Sequence, residues 1–442
     1  MKTDNKEKTV PLGTEKLAID GGLPVRTAPL PLEFPGIHYM DEEEVDAAVR
    51  VLRSRSPFRY YGVDLQGEVE AFETEFAAFL GVSHCLATNS GTGALHIALA
   101  ALGVGPGQEV IVPAYLWVSV AAAVVNLGAI PVLADIDETF CVSSVTVAEK
   151  ITPRTTGVIV VHMSGSPADI APIQELTRKR GLFLLEDCAQ CAGGSIGSKK
   201  VGTFGQMAIF SFQMNKNMTS GEGGCLVTND NHLYHRAVAC HDTGYARDSD
   251  GRALLDHFDL CLWGRGYRMD EIRAAILRVQ LRKLATVIGN MRRSKYRIRT
   301  ALQQHPEIRL RKVVDTDGDT GGFLLTTFGA PEIAQKVNGA LRAEGIVTSA
   351  IGINNIVMTQ WGLHIYYNIP SLVHKTSVDK RNSPWSLTEN KDSHAEYCKG
   401  TCPVADSLFE RTILLAIPSI LSERDEDDIV HAFRKVLANL GD

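Results

Sequence analysis

The chain has 442 residues, of which 45% are hydrophobic and 22% are charged, and its formal net charge is −6. This length exceeds one small core and predicts two domains of unequal size. The acidic balance, with no basic block, argues against nucleic acid as a partner, because phosphate binding needs a positive surface. The longest apolar stretch, 118–134, is interrupted by polar residues, glycine and proline, so no membrane span is predicted.

The N-terminus and the cysteines indicate the cellular compartment and whether a metal site is expected. The first residues are polar and lack the apolar segment of a secretory signal, which predicts a cytoplasmic protein. Nine cysteines lie scattered in apolar segments, as in chains that keep their thiols reduced. Cys188 and Cys191 form a Cys-x-x-Cys pair, but their small apolar neighbours and the lack of a histidine at a zinc spacing favour buried thiols. No metal site is predicted.

The first elements are an arm and two helices. Residues 1–35 predict an irregular N-terminal arm, because prolines and a glycine pair prevent a long helix. From Asp41 onward, apolar residues recur at helical spacing. The apolar faces predicted for the two helices are Val45, Ala48, Val49 and Leu52, then Val69, Phe72, Phe76 and Phe79.

Seven short apolar runs follow, mostly separated by segments of helix length. They are residues 85–88, 110–112, 131–134, 158–161, 182–185, 208–212 and 225–227. This alternation predicts an α/β fold with a mainly parallel seven-stranded sheet between helices. Ligands of such sheets bind beyond the carboxyl ends of the strands.

The remainder predicts a smaller C-terminal α+β domain. A long helix over 269–284 precedes it, and candidate strands lie at 322–328 and 345–348. A closing helix over 429–440 would place Lys435 on its solvent side. Residues 365–403 lack clear periodicity and predict an insertion loop near a site or an interface. The predicted division is an arm at 1–35, a large domain at 36–285 and a small domain at 286–442.

A turn after the first strand is a candidate anion site. Ser90, Gly91 and Thr92 open a predicted helix. Glycine lets backbone N–H groups approach a phosphate, the helix N-terminus adds its dipole, and Thr92 adds a hydroxyl. Taken alone, such a turn is more often a capped helix without a ligand.

A carboxylate and a lysine elsewhere in the chain could form a site together with this turn. The strand that ends at Asp187 closes with two carboxylates, Glu186 and Asp187, one of which is expected to face inward. A carboxylate beside a pyridine nitrogen keeps that nitrogen protonated and makes the ring an electron sink. Lys216 lies between the sixth strand and a glycine turn. A lysine for an aldehyde, an acid for a ring nitrogen and a turn for a phosphate are what pyridoxal 5′-phosphate (PLP) needs. Separately, a solvated lysine and a turn-capping acid are the simpler interpretations.

Two further side chains could complete a PLP site. Gln190 could donate to the phenolic oxygen of the cofactor ring, or be an ordinary polar loop residue. Trp117 follows the second strand and could stack on a flat ring, or lie in the core.

Several ordered blocks of the chain resemble the DegT/StrS-type sugar aminotransferases, a branch of the fold-type I PLP enzymes. The similar segments lie at 89–92, 112–117, 186–190, 211–216, 219–224, 267–269 and 400–403. The resemblance implies the fold-type I architecture, with a large sheet domain and a smaller C-terminal domain. It also implies a homodimer with shared active sites.

The resemblance implies roles for individual residues. Lys216 would form a Schiff base with PLP, and Asp187 would pair with the ring nitrogen. The other implied cofactor contacts are Ser90, Gly91, Thr92, Trp117, Gln190, Ser211 and Arg268. Of these, Arg268 would reach the phosphate of the neighbouring subunit.

The resemblance implies a PLP-dependent aminotransferase of amino-sugar or natural-product biosynthesis. An amino group would pass from glutamate or glutamine to the ketone or aldehyde of a sugar, sugar nucleotide or cyclitol. Another PLP reaction (dehydratase, aldolase or decarboxylase) and a non-catalytic PLP-binding regulator remain alternatives, although Lys216 argues against the dehydratases. The candidate substrate residues are His162, Gln213, His364 and Tyr366. Glutamine at 213 resembles the members that act on keto-cyclitols and on some unusual keto-sugars.

Overall fold

The computed structural model describes residues 15–248, 251–348 and 354–440. Its helices are α1 Glu42–Ser54, α2 Glu68–Leu80, α3 Gly91–Ala101, α4 Val118–Asn126, α5 Ser144–Ala148, α6 Ile170–Arg180, α7 Asn231–His241, α8 Glu271–Leu302, α9 Pro331–Ala343, α10 Pro370–Val373, α11 Pro403–Arg411 and α12 Glu423–Ala438. Its strands are β1 His84–Thr88, β2 Glu109–Pro113, β3 Ile130–Ala134, β4 Thr155–Val161, β5 Phe183–Asp187, β6 Ser195–Ile196, β7 Lys199–Lys200, β8 Met207–Ser211, β9 Gly224–Thr228, β10 Arg309–Leu310, β11 Phe323–Thr327, β12 Asn355–Val357 and β13 Thr412–Ala416.

A seven-stranded sheet forms the centre of the molecule, with strand order β1-β9-β8-β5-β4-β2-β3. The four pairs from β3 to β8 are parallel, and β9 is antiparallel to both its neighbours. In β1, Leu86 belongs to one hydrophobic cluster while Cys85 and Ala87 belong to another. Because successive side chains of a strand point to opposite faces, the sheet is buried on both sides. The predicted seven-stranded α/β fold is confirmed.

The helix α8 joins the central sheet region to the C-terminal region. It has 32 residues, and it packs against α1 and α2 as well as against α12. The predicted boundary at 285/286 falls inside this helix. The division into arm, large domain and small domain stays a prediction, and its residues 1–14 and 441–442 lie outside the described residues.

A second, four-stranded antiparallel sheet with order β10-β11-β13-β12 carries the C-terminal region. The predicted strand at 322–328 is confirmed as β11, but the one at 345–348 is wrong. Gly345 has a left-handed φ of 91°, which breaks an extended run, and Val347 instead accepts the backbone N–H of Leu30 at 2.8 Å. The segment 365–403 forms short helical turns, and its Ile365 and Tyr397 belong to the same hydrophobic cluster as the central sheet.

The buried and exposed sides predicted for helices α1 and α12 are partly wrong, because paired polar side chains are buried there. Helix α1 exists, yet Val45 and Leu52 are 50% and 57% exposed. Its buried face contains Glu44, whose carboxylate accepts hydrogen bonds from Gln280 and Lys283 of α8 at 2.7 and 2.9 Å.

In α12, Lys435 is buried rather than solvated, because its Nζ lies 2.8 Å from the carboxylate of Glu344. Among the helices in the described parts of the chain, none is long and apolar enough to cross a bilayer.

Candidate active site

A cavity of about 330 Å³ lies at the carboxyl ends of the central strands. Asp187 is the last residue of β5 and Ser211 the last of β8, while Gly91 is the first of α3. Parallel neighbouring strands end at the same edge of a sheet, so these side chains meet. The predicted residues that line the cavity are Ser90, Gly91, Thr92, Trp117, Asp187, Gln190, Ser211, Gln213, Lys216 and His364.

The first turn of α3 is shaped for an anion. Ser90 is the N-cap residue, and its Oγ accepts the N–H of Gly93 at 3.0 Å. The carbonyl of Ser90 accepts the N–H of Ala94 at 3.0 Å. Of the four N–H groups that a helix start leaves without intrahelical partners, here those of residues 90–93, only that of Gly93 is used by the cap, so the N–H groups of Gly91 and Thr92 are among those that remain for an anion.

Gly91 also brings the helix against β8. A Cβ at this position would lie 2.7 Å from the Cβ of Ser211, closer than side chains pack. Only glycine therefore lets the α3 N–H groups and the Ser211 hydroxyl face the same small volume. On the other side, the hydroxyl of Thr92 lies 2.7 Å from that of Ser119 in α4, which also lines the cavity.

The two carboxylates at the end of β5 have opposite surroundings. Glu186 accepts the backbone N–H groups of Gly202, Phe204 and Gly205 at 2.6–2.7 Å, so its charge is satisfied within the fold. Asp187 is 3% exposed and faces the cavity, where its Oδ1 accepts one N–H, from Ala189, at 2.9 Å. Burial raises the pKa of the Asp187 carboxyl, and the neighbouring N–H, Lys216 and His162 oppose that rise. A buried acid of this kind suits a cationic partner in the cavity.

Lys216 lies in the turn between β8 and β9. Its backbone N–H donates to the carbonyl of Gln213 at 3.0 Å, and its own carbonyl accepts the N–H of Gly36 at 3.1 Å. Burial lowers the pKa of the Lys216 amine, while the charge of Asp187 raises it. An amine with a lowered pKa is more often neutral, the form that attacks a carbonyl carbon.

One wall of the cavity consists of the rings of Trp117 and His364 and the amide of Gln190. The ring of His364 contacts those of Trp117 and Trp361 at centroid distances of 4.8 and 4.6 Å. The amide nitrogen of Gln190 lies 3.2 Å from His364 Nε2, and the amide oxygen accepts the N–H of Ser164 at 2.9 Å. Trp117 is thus exposed to the cavity rather than part of the core.

A second cavity, of about 420 Å³, adjoins the first and shares Lys216, Trp117, Gln190 and His364 with it. Its other side is lined by the aromatic rings of Phe34, Phe323 and Trp361 and by the polar side chains of Glu33, Gln360 and Asn217. Two connected volumes around one lysine offer room for a cofactor and for a second molecule.

Two predicted substrate residues lie outside these cavities, and their positions correct that expectation. His162 is fully buried, with Nδ1 accepting the N–H of Ala168 at 3.0 Å and Nε2 donating to Glu186 at 3.1 Å. Tyr366 is also fully buried, and its hydroxyl donates to Asp406 at 2.9 Å. Hydrogen bonds within the fold engage the polar groups of both residues.

Arg268 does not line either cavity. Its guanidinium pairs with Asp242, which also pairs with Arg247, and lies 5.5 Å from the ring centre of Phe58. The structure of one chain therefore leaves its predicted contact with a neighbouring subunit untested.

Sequence reasoning missed Ser119 and Ser164. Ser119 is the second residue of α4, two positions after Trp117, where a hydroxyl near a helix start was readable. Ser164 adopts a left-handed φ of 54° after β4, and no local pattern predicts that conformation for a serine.

A sequence profile described as the DegT/DnrJ/EryC1/StrS aminotransferase family matches residues 39–363. This chain belongs to that family. The aminotransferase is 31% identical to the L-glutamine:2-deoxy-scyllo-inosose aminotransferase of Streptomyces kanamyceticus, over 97% of this chain and 98% of the relative. It is 35% identical to the 3-amino-5-hydroxybenzoate synthase of Amycolatopsis mediterranei (strain S699), over 88% and 95% of the two chains.

The fold comparison agrees with the family. A crystal structure of 3-amino-5-hydroxybenzoic acid synthase superposes with a TM-score of 0.74 at 28% identity, covering 93% of this chain and 99% of the other. The aminotransferase has the fold of the PLP aminotransferases and depends on PLP.

The residues of the cavity fit PLP. A buried carboxylate faces the cavity, and a glycine-dependent helix start could take a phosphate, since a Cβ on Gly91 would fill the space beside Ser211. The side chain of Lys216 lines the same cavity. These are the three contacts that the pyridine nitrogen, the phosphate and the aldehyde of PLP require.

Proposed function

We propose that this aminotransferase moves the amino group of glutamine or glutamate to the ketone of a keto-cyclitol or keto-sugar, in amino-sugar or natural-product biosynthesis. The observation that carries the proposal is the pair of connected cavities that meet at Lys216. The relative from Streptomyces kanamyceticus is named as acting with L-glutamine on 2-deoxy-scyllo-inosose. Gln213, which lines the first cavity, supports the same substrate class.

PLP would occupy the first cavity, which at about 330 Å³ is the smaller of the two. Lys216 would hold the aldehyde, and Asp187 would hold the ring nitrogen in its protonated state. When bound, PLP supplies an electron-withdrawing ring and carries the amino group between two half-reactions. Ser90, Gly91, Thr92 and Ser211 would hold the phosphate, while Trp117 would stack on the ring and Gln190 would face its phenolic oxygen.

Lys216 also moves the proton. In each half-reaction its Nζ takes a proton from one carbon and returns it to another, which requires a neutral amine close to the reacting atoms. Burial supports this role because it lowers the pKa of the amine. The aromatic wall around Trp117 and His364 excludes water from the same space.

The larger cavity would bind the acceptor. A polyol ring presents apolar C–H faces and a hydroxyl rim, so it needs both aromatic walls and hydrogen-bonding groups. Trp361 and Phe323 supply the walls, and Gln360 and Glu33 supply polar groups. Of the predicted substrate residues, Gln213 and His364 keep a place in the proposal.

A homodimer with shared active sites belongs to the proposal. Trp263 and Phe258 are 95% and 82% exposed, and both lie in the chain segment that leads to Arg268. Large exposed apolar side chains are typical of interaction surfaces. A second copy on this segment would cover them and bring Arg268 near the partner's cavity. A monomeric mass in sedimentation would rule this out.

A cytoplasmic location is also proposed. All nine cysteines are free thiols, and seven of them are buried. Such thiols are typical of proteins from reducing compartments. Fractionation of the producing cells would test the location.

The experiment is a panel of keto-cyclitols and keto-sugars, with and without a nucleotide, incubated with the enzyme, PLP and glutamine or glutamate. We expect an aminated product from at least one ketone, detected by mass. Lys216→Ala should abolish turnover, because no other amine lines the first cavity within the described residues. The matched control is Lys336→Ala, an exposed lysine of α9, which should retain full activity.

Two outcomes contradict the proposal. An active Lys216→Ala enzyme would exclude the assigned role of the lysine. A wild-type enzyme that binds PLP but aminates none of the ketones, and instead releases a cleaved, dehydrated or decarboxylated product, would replace transamination with another PLP reaction.

A further inference from the structure

The orientation of the Gln190 amide is determined by the main chain. The backbone N–H of Ser164 lies 2.9 Å from the side-chain oxygen of Gln190. A backbone N–H can only donate, so the amide atom that faces it is the carbonyl oxygen. The NH₂ end of Gln190 therefore faces His364. Ser164 adopts its left-handed φ of 54° at this contact, an uncommon conformation for a serine.

The tautomer of His364 follows from its partners. Its Nδ1 lies 3.1 Å from the carbonyl oxygen of Trp361, which can only accept, so Nδ1 carries the hydrogen. Nε2 is then an acceptor. It lies 3.2 Å from the Gln190 nitrogen and takes one of the two amide hydrogens. From Ser164 to Trp361, each of the three contacts therefore joins one donor to one acceptor, and the second amide hydrogen of Gln190 is left over.

The imidazole is neutral and held in place. Trp117 and Trp361 both contact it, with ring planes tilted by 47° and 31°. Burial, with a contribution from the charge of Lys216, lowers the pKa of His364 to about 3. At neutral pH, Nε2 therefore carries no hydrogen that a substrate could receive.

We propose that His364 is a positioning residue, whose Nε2 accepts one amide hydrogen of Gln190 and so directs the other into the cavity lined by Lys216 and Asp187. It holds the amide between Ser164 and its own ring, and it neither takes nor gives a proton in the reaction. The inference rests on the proposed function, since the second hydrogen would meet the phenolic oxygen of PLP. It changes the role of His364 from a substrate contact to a group that acts through Gln190.

A measurable consequence concerns the cofactor ring. A hydrogen bond to the phenolic oxygen stabilises its anionic form, and so lowers the pH at which the absorption of the bound cofactor changes. If His364 no longer accepts from Gln190, the amide can rotate and this hydrogen bond weakens. The midpoint of the absorption change then moves to higher pH.

The test compares His364→Phe with His364→Gln in the PLP-loaded enzyme. Phenylalanine keeps a ring against Trp117 and Trp361 but has no acceptor, whereas the glutamine oxygen reaches about as far as Nε2. We expect the midpoint to rise by about one pH unit in the phenylalanine variant, the size of one lost hydrogen bond. We expect most of the shift to be reversed in the glutamine variant. A purely structural role for the ring predicts the opposite order, with glutamine the worse replacement.

A second measurement reads the tautomer of His364 in the wild type and uses a variant only to assign the signal. Nitrogen NMR of ¹⁵N-histidine-labelled wild type should show His364 protonated at Nδ1, unprotonated at Nε2 and constant from pH 5 to 8. His241, whose Nδ1 faces the carbonyl of Val238 and whose Nε2 faces Arg59, should give a similar signal, and the one that is missing in His364→Gln belongs to His364. A His364 signal that titrates near pH 6.5, or that carries its hydrogen on Nε2, overturns the proposal. An unchanged absorption midpoint in His364→Phe overturns it as well. Neither result depends on which ketone is aminated, so failure of the proposed function is seen separately, in the product assay.

Discussion

The two sides of the cofactor cavity are built in different ways. Asp187, Ser211 and Gly91 occupy the ends of β5 and β8 and the start of α3, so the main chain of regular elements places them. His364 lies in short 3₁₀ turns, and its carbonyl accepts the N–H of Leu116 at 3.1 Å, from a residue far away in the sequence. The residues on the strand-end side are therefore positioned by where strands and helices begin and end. His364, on the aromatic side, is positioned by contacts with residues that are distant in the sequence.

The largest effect should come from the strand-end side. Asp187→Asn keeps the size of the side chain but removes the charge opposite the ring nitrogen. Breaking a buried charge pair costs about 3–5 kcal/mol, so we expect kcat to fall by roughly a hundredfold to a few thousandfold. Stopped-flow measurement of the first half-reaction with glutamine checks this.

The adjacent carboxylate supplies the control. Glu186→Gln places an NH₂ group near three backbone N–H donors, so we expect a lower melting temperature but nearly normal turnover of the folded enzyme. If both variants lose only stability, or both lose only kcat, the opposite surroundings of the two carboxylates do not matter for function.

A smaller effect on the same side should come from Gly91→Ala. The new Cβ would overlap the Cβ of Ser211 at 2.7 Å and push α3 away from β8. Overpacking of this kind costs about 1–3 kcal/mol, which predicts PLP binding weaker by about tenfold or more in a fluorescence titration.

The matched control for that change is Gly289→Ala in α8. A Cβ there would meet no atom within 4 Å, so we expect unchanged PLP affinity and a gain of about 0.5–1 kcal/mol in the free energy of unfolding. Equal PLP affinities in Gly91→Ala and Gly289→Ala would show that the close approach of α3 and β8 is not needed for phosphate binding.

The smallest effect should come from Trp361→Phe on the aromatic side. Within the described residues, the Trp361 Nε1 is buried and has no hydrogen-bond partner, and phenylalanine keeps a ring against His364. Losing an unpaired donor costs little, so we expect stability and kcat/KM to change by less than about 1 kcal/mol. A KM for the ketone that rises alone would show instead that this donor binds the acceptor, and would make the aromatic side a specificity surface.

Much of the strand-end side was predictable because its signals are local. Seven apolar runs predicted seven strands, and all seven lie in one sheet. Asp187 and Lys216 each follow such a run, so their meeting in one cavity follows from parallel strands ending at one edge. Which of Glu186 and Asp187 faces the cavity was left open, since adjacent residues of a strand point to opposite faces whichever face is inward.

The errors concern contacts between distant parts of the chain. His162 follows the end of a strand, and Tyr366 lies in a polar segment. Inside the fold, however, His162 hydrogen-bonds to Glu186 and Tyr366 to Asp406. Lys435 has the spacing of a solvent-facing residue, but Glu344 pairs with it from another helix end. A single sequence carries no periodic signal for a buried ion pair, because its partner lies elsewhere in the chain.

The sequence by itself determined the α/β sheet, the PLP-type combination of lysine, acid and glycine turn, and the family resemblance that the profile match confirms. These follow from apolar periodicity and from motifs of a few adjacent residues. Only the tertiary structure decided that Asp187 faces the cavity, and that His364 faces Gln190 with Nε2 as an acceptor. The physical reason is that the direction of a hydrogen bond depends on both partners, and these partners are brought together only when the chain folds.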